Sequence, residues 1–459
     1  MRFSAYIDSL TGAEITVIGI GVSNTPLIKK LLEHGCRVTA RDRSDREKLG
    51  AVADKLEALG ARLILGPDYL RDIDADIIFR TPGVRPDRPE ILAACEKGAV
   101  LTSEMEAFFE VCPCRIIAVT GSDGKTTTTT IISELLKAAG YRVHLGGNIG
   151  RPLLCEADSM SRDDIAVLEL SSFQLMTMSA SPDVAVVTNL APNHLDVHTD
   201  MDEYVRAKKN IFLHQTENGK AVFNADNDIT AAFFGEAKGK TAAFSRRIRP
   251  ENGACLENGV LYVVAEGVQR PVMYAKDILI PGEHNVENYL AAFAAVDGLV
   301  TPDVMQSVAR TFGGVEHRIE LVRELRGVKY YNDSIASSPS RTRAGLRSFD
   351  RRVILIAGGK DKGVPFDGLG RDIREHVSVL VLTGFTAEKI ERAVVDSPEY
   401  DGTPRIIRRD DFREAVLAAS GAAQPGDIVI LSPACTSFDH FRNFEERGRF
   451  FKEIVSQLE

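Results

Sequence analysis

The segment Val119-Thr120-Gly121-Ser122-Asp123-Gly124-Lys125-Thr126-Thr127 constrains this chain more than any other stretch. The apolar run Ile116-Ile117-Ala118-Val119 before it suits a buried parallel strand, and Ile131, Ile132, Leu135 and Leu136 after it recur at helical spacing. Strand, glycine turn, Lys-Thr and helix is the order that a phosphate-binding loop requires. Gly121 and Gly124 let backbone N–H groups close on an anion, and the helix that follows presents its positive end. In such a loop Lys125 reaches the terminal phosphates and the Thr126 hydroxyl ligates Mg²⁺. The spacing is shorter than the full Walker pattern, because Val119 stands where that pattern has its first glycine. A tight turn capped by a basic residue is the competing account, and the strand–loop–helix context weighs against it.

A chain of 459 residues with 44% hydrophobic and 26% charged side chains is globular and long enough for about three domains. No apolar run of about 18 residues occurs, so no membrane span is expected. The N-terminus lacks a signal-peptide core. Seven cysteines, with no CxxC pair and no metal-ligand spacing, read as reduced thiols in a cytoplasmic protein. A net charge of −9 argues against a nucleic-acid surface. Any phosphate must therefore be held by local cations and helix ends.

Before this loop the chain reads as an α/β unit. Glu14 to Gly21 is a strand running into a glycine turn, and Arg37 to Asp42 is a second strand. Gly19-Ile20-Gly21-Val22-Ser23-Asn24 resembles a dinucleotide fingerprint with Asn24 in place of its third glycine. Asp42 follows about 20 residues on, where such folds carry an acid. A structural glycine turn explains the pattern as well. A third strand, Ile77-Ile78-Phe79, meets Thr81-Pro82-Gly83-Val84 beside the same cleft.

After the loop, Leu145-Gly146-Gly147-Asn148-Ile149-Gly150 is glycine-rich with one amide. Ile165 to Gln174 is an apolar strand that places Glu169 at its carboxyl end, where an open parallel sheet binds ligands. Glu169 can hold Mg²⁺ there, or be a surface acid near a turn. His194, in Asn193-His194-Leu195-Asp196-Val197-His198, is either a metal ligand or a satisfied turn histidine. The helix expected from Thr199 to His214 has an apolar stripe of Met201, Tyr204, Val205, Ile211 and Phe212, and Lys208 falls in that stripe. Burial disfavours the charged form of a lysine. A neutral amine can add CO₂ to become an anionic carbamate, whereas snorkelling to solvent is the plainer alternative.

Residues 220 to 280 read as β-rich. Asn285 and Asn288 then lie one turn apart at the start of an alanine-rich helix, facing one ligand or, for Asn285, capping the helix. The remainder alternates strands and helices around a parallel sheet, with His317-Arg318 at its start and Asn332-Asp333-Ser334 at a strand end. Lys360 and Lys362 follow one further strand, and Ser432 to Ser437 follows another.

Thr120 to Thr127, Gly146 to Gly150, Glu169 to Leu175, Asn189 to His198, Gly282 to Tyr289, His317-Arg318 and Asn332 to Ser334 together resemble the Mur ligase family, ATP-dependent amide-forming enzymes of peptidoglycan precursor synthesis. The likeness covers the whole chain. It implies an α/β fold of three domains. These are a Rossmann-like domain for a UDP-linked substrate (1–104), a central P-loop ATPase-type domain with a small β-rich part (105–314), and a Rossmann-like domain for the amino acid (315–459). Glu169 to Leu175 and Leu431 to Gly448 point to the branch that adds D-glutamate to UDP-N-acetylmuramoyl-L-alanine. The Asn-Pro-Arg signature of the diaminopimelate- or lysine-adding branch is absent.

On this resemblance Gly121, Ser122, Asp123, Gly124, Lys125, Thr126 and Thr127 hold the ATP phosphates. Asn285 and Asn288 flank adenine, Arg318 meets the γ-phosphate and Asp333 the ribose. Thr126, Glu169, His194 and a carbamylated Lys208 organise two Mg²⁺ ions. Ser23, Asn24, Asp42, Gly83, Asn148 and His194 approach the UDP-muramoyl substrate, and Ser337, Lys362, Ser437 and Phe444 the glutamate. One departure stands out: Ile335 occupies a position where many relatives carry lysine, and Lys360 is a candidate substitute. The family also implies an acyl-phosphate route, closure of the last domain, and a monomer in the cytoplasm. The alternatives are another Mur ligase, a folylpolyglutamate synthase-like ligase, or a non-catalytic nucleotide-binding regulator. The regulator is expected to lack Glu169 or Lys208.

Overall fold

The computed structural model describes residues 2–192, 197–361 and 363–459. Its strands form three sheets, as the alternation of apolar strands and amphipathic helices predicts. The first contains β1 (Glu14–Ile18), β2 (Arg37–Asp42), β3 (Arg62–Leu65), β4 (Ile77–Arg80) and β5 (Val100–Thr102). All pairs are parallel, in the order β3-β2-β1-β4-β5. The order in which strands are added therefore reverses between β1 and β4, and their carboxyl ends form the crevice of a doubly wound sheet.

The second sheet comprises β6 (Arg115–Thr120), β7 (Val143–Gly147), β8 (Ile165–Glu169), β9 (Val184–Val187), β10 (Lys220–Asn224), β11 (Lys240–Ser245), β12 (Gly253–Glu257), β13 (Val260–Ala265) and β14 (Val268–Tyr274). The order is β14-β13-β12-β11-β10-β9-β6-β8-β7, so β6, which leads into the glycine loop, sits between β8 and β9. The β-rich stretch after residue 220 is no separate lobe. Strands β10 to β12 extend the same sheet in parallel, and only β13 and β14 turn antiparallel.

The third sheet holds β15 (Glu320–Leu325), β16 (Val328–Asn332), β17 (Val353–Gly358), β18 (Val377–Thr383), β19 (Arg405–Arg408) and β20 (Ile428–Leu431), in the order β15-β16-β20-β17-β18-β19. Only β15 runs antiparallel to its neighbour. Strands β17 and β20 are buried throughout, as expected for strands covered by helices on both faces.

By compactness the chain forms two units: Met1–Lys276 with Glu287–Val308, and Asp277–Val286 with Ala309–Glu459. The first unit contains the first two sheets, which share one apolar core. Phe3, Ile7 and Leu27 cluster there with Phe108, Leu153, Leu175 and Phe212.

Candidate active site

Packing dictates the two glycines of the loop after β6. Gly121 has φ 150°, and a Cβ there would lie 1.9 Å from Thr188 Oγ1. Gly124 has φ 76° and precedes the helix Lys125–Ala138, where a Cβ would lie 2.3 Å from Asn288 Oδ1. No other residue fits either position without displacing its neighbours. The loop is braced from outside: Ser122 Oγ donates to Ala191 O at 2.9 Å and meets Tyr204 Oη at 3.0 Å. The Asp123 N–H donates to Asn189 Oδ1 at 3.0 Å. Thr126 and Thr127 occupy the first helical turn. Asn288 meets this loop directly, its Oδ1 accepting from Thr128 Oγ1 at 3.2 Å.

Lysines 125 and 208 converge on one oxygen. Lys125 Nζ donates to Gly121 O and Ser122 O, each at 2.9 Å. Lys208 Nζ donates to the same Gly121 O at 2.9 Å and to Thr120 Oγ1 at 3.0 Å. The expected stripe on the helix Met201–Leu213 is real, for Tyr204, Lys208, Ile211 and Phe212 are all buried. Lys208 is 2% exposed, so it does not snorkel. Burial pushes its ammonium well below the ordinary lysine value, the nearby Lys125 charge pushes the same way, and Glu169 opposes both.

Glu169 ends β8 beside this pair and is 2% exposed. Its Oε1 accepts from Asn148 Nδ2 at 2.7 Å, while Oε2 is buried with no hydrogen-bond partner among the described residues. A buried carboxylate oxygen without a donor is costly unless a cation approaches it. Glu169 Oε2 thus suits a hard, oxygen-preferring cation such as Mg²⁺. Gly147 permits the Asn148 contact, because a Cβ there would sit 2.2 Å from Glu169 O. His194 lies outside the described residues.

Sequence reasoning passed over three groups that hold this site together. His198 is buried, its Nε2 2.9 Å from Ser172 Oγ and its Nδ1 3.2 Å from Glu203 Oε2. Its ring stacks on Phe173 at 5.2 Å. Arg85 donates to Glu203 at 2.7 Å and holds that carboxyl down at about 2. Arg80, 1% exposed, reaches from β4 to Val84 O (2.6 Å), Phe173 O (3.2 Å) and Thr177 Oγ1 (3.3 Å). An arginine ending the apolar run Ile77-Ile78-Phe79 was the available signal for the last.

At the carboxyl end of the first sheet the expected ligand contacts are partly used up internally. Asn24 Nδ2 donates to Ile18 O and Gly19 O, both at 3.1 Å. Asp42 accepts from the Ile20 and Ser44 N–H groups, each at 2.7 Å. Both side chains brace the glycine turn, the structural alternative that the sequence left open. Ser23 precedes the helix Asn24–Glu33, and Gly83 lies exposed in the turn after β4.

In the second unit Asn285 Nδ2 donates to Pro281 O at 2.5 Å, closing the turn before its helix. Backbone strain surrounds Arg318: His317 has φ 65° and Ile319 φ 45°, a left-handed conformation that β-branched residues rarely adopt. Asp333 follows β16 and receives Ser432 Oγ at 2.7 Å. Burial lifts its carboxyl to about 7 against the opposing pull of Ser432, Arg318 and Arg341. The Phe444 ring meets His317 edge-on at 5.9 Å, and Phe444 O accepts from Ser334 Oγ at 2.8 Å. The Ser437 side chain is buried after β20, and Ser337 is half-buried in the loop after β16. Lys362 lies outside the described residues. Lys360 is exposed, and its backbone pairs with Thr436.

Arg447 was also missed. Its guanidinium is buried and donates to Ser334 Oγ (3.0 Å), Ser334 O (2.9 Å) and Cys435 O (3.2 Å), tying the loops after β16 and β20 together. Glu316, His317 and Glu320 could hold a metal by distance. Lys452 Nζ, however, sits on Glu316 at 3.1 Å and Glu320 at 2.5 Å and already neutralises them.

Comparison with known proteins agrees with this geometry. The Mur ligase middle domain matches residues 119–296, and the Mur ligase glutamate ligase domain matches 317–435. The UDP-N-acetylmuramoylalanine–D-glutamate ligase of Acetivibrio thermocellus is 55% identical over 100% of this chain and 99% of its own. That of Ruminiclostridium cellulolyticum is 52% identical over 97% and 96%. Among solved structures, the UDP-N-acetylmuramate-alanine ligase of Thermotoga maritima superposes with a TM-score of 0.56 at 18% identity, covering 97% of this chain and 99% of that one, a likeness of fold alone. With identity above half along its full length and both domain matches in place, the chain belongs to the Mur ligase family.

Proposed function

We propose that this chain is the ATP-dependent ligase that adds D-glutamate to UDP-N-acetylmuramoyl-L-alanine, in peptidoglycan precursor synthesis. The observation that carries the reading is the convergence of Lys125, Lys208 and Glu169 around Gly121 at the carboxyl ends of β6 and β8. The full-length likeness to ligases of that specificity supports the choice of substrates. A non-catalytic regulator would have no reason to keep a buried lysine and a half-satisfied buried carboxylate. Working boundaries are 1–104 for the UDP-substrate domain, 105–314 for the ATP domain and 315–459 for the amino-acid domain. The chain acts as a monomer in the cytoplasm, where ATP and nucleotide-linked precursors are present.

A carboxylate is a poor acyl donor because its leaving group would be oxide. The alanyl carboxylate oxygen therefore attacks the γ-phosphorus of ATP, the bond to the β-phosphate oxygen breaks, and ADP leaves. The glutamate amine then attacks the acyl carbon, its proton is lost, and inorganic phosphate departs. Backbone N–H groups around Gly121 to Thr127 cradle the phosphates, and Lys125 offsets the charge that develops in transfer. Thr126, Glu169, His194 and Lys208 would hold the two Mg²⁺ ions, which screen the mutual repulsion of two anionic reactants. Burial favours the neutral form of Lys208, which suits it to take up CO₂ as a carbamate and so present an anion to that site. Asn148 orients Glu169, and Glu203 and His198 fix the helix and loop that frame both.

The test is ADP release by the purified protein with UDP-N-acetylmuramoyl-L-alanine and single amino acids. Release with D-glutamate well above that with L-glutamate or L-lysine is expected. Equal release with all three removes the specificity assignment.

A further inference from the structure

The helix Pro339–Leu346 and its C-terminal flank carry three arginines in different circumstances. Arg343 Nε and Arg347 Nε both donate to Asp372, each at 2.6 Å, and are neutralised there. Arg341 makes no ion pair at contact distance among the described residues, although its charge acts on the buried Asp333 carboxyl. Its one side-chain hydrogen bond there runs from Nη1 to Ile335 O at 3.2 Å. A guanidinium offers five N–H donors in a planar fork, so four remain for a ligand. Arg341 is also exposed, hence reachable.

Its position gives that spare charge a use. Arg341 is in the first turn of a helix that begins directly after the loop following β16, at the carboxyl end of the third sheet. The same loop carries Asp333 and Ser337, and Ser337 N donates to Ile335 O, the oxygen on which Arg341 rests. Ile335 itself brings no charge. Glutamate has two carboxylates that do not react, and each must be matched by a fixed cation. Lys362 is one expected partner, and Lys360, exposed and paired through its backbone with Thr436, is the substitute the sequence offers.

We propose that Arg341 receives a carboxylate of the incoming acidic amino acid and thereby helps to set its specificity. The fork of a guanidinium matches a carboxylate in two parallel hydrogen bonds, which a lysine at 335 could not. This inference rests on the ligase reading above.

Steady-state kinetics on Arg341→Ala and Arg341→Lys test it, with D-glutamate, ATP and the UDP-linked substrate varied in turn. Loss of a charged hydrogen-bonded contact raises KM for D-glutamate by about 10- to 100-fold, with kcat and the KM for ATP within about threefold. Arg341→Lys keeps part of the affinity, and adding Ile335→Lys to Arg341→Ala restores some of it. An exposed side chain leaves thermal unfolding unchanged, which separates this role from a structural one. An unchanged KM for D-glutamate, or a rise confined to ATP, overturns the proposal. Failure of the ligase reading would show instead in the wild-type protein, as no D-glutamate-dependent ADP release.

Discussion

Replacing Lys208 separates what it does for the fold from what it does for the reaction. Lys208→Met keeps the length and girth of the stem and deletes the amine. Two hydrogen bonds are lost, each contributing about 1 kcal/mol. Neither partner is orphaned, because Thr120 Oγ1 still donates to Leu170 O at 2.7 Å and Gly121 O still accepts from Lys125 at 2.9 Å. Against that loss stand relief of a desolvated amine and of its repulsion with Lys125. The net change in stability is therefore within about 1 kcal/mol. Lys208→Ala, by contrast, empties a packed site beside Tyr204 and costs about 2–4 kcal/mol. Both variants should lose ADP-forming activity by at least about a hundredfold. Acetate or propionate should partly rescue only the alanine variant, whose cavity can admit a carboxylate. Guanidinium unfolding and ADP release, run on the same preparations, read the two effects separately. A methionine variant that is active, or as unstable as the alanine one, would refute the reasoning.

Two further outcomes follow from buried acids. Glu169→Gln keeps the oxygen that Asn148 needs but puts an amide where Oε2 has no partner; activity should fall about a hundred- to a thousandfold, with a higher Mg²⁺ requirement in a titration of ADP release. Glu104, buried and lifted to about 7 by desolvation, keeps its proton in the native state through a pH range where the unfolded chain, near 4.5, has released it. The native state then binds more protons, so this group's stabilisation is full below about 4.5 and is lost as pH rises to about 7, a swing of up to about 3 kcal/mol. Glu104→Gln should flatten the unfolding profile across that window, and identical slopes in the two proteins would contradict it.

The glycine loop, the parallel α/β sheets and the register of Lys208 were legible because each leaves a local trace. Gly-x-x-Gly-Lys-Thr needs no partner to be recognised, and Lys208 betrayed itself by falling in register with Tyr204 and Phe212. Residues whose role is set by distant backbone were harder to read. The resemblance puts Asn24 and Asp42 near the substrate, but the sequence did not show that they also brace the glycine turn through Ile18, Gly19, Ile20 and Ser44. Arg80 and Arg447 find carbonyls 93 and 113 residues away in sequence, and nothing near either side chain announces those partners. The β-rich stretch after residue 220 was visible, but its edge-to-edge continuation of the second sheet depends on strand pairing that periodicity does not encode.

The arginines at the end of β4 bear on how such chains can be recombined. Arg80 and Arg85 fasten the first sheet to Phe173, Thr177 and Glu203, and Glu203 lies on the helix that carries Lys208. The first hundred residues are therefore not a cassette. Spliced onto a distant homologue without those acceptors, they would leave Arg80 and Arg85 with only their local partners and the recipient's catalytic helix unmoored. A workable chimera has to import Phe173, Thr177 and Glu203 along with them.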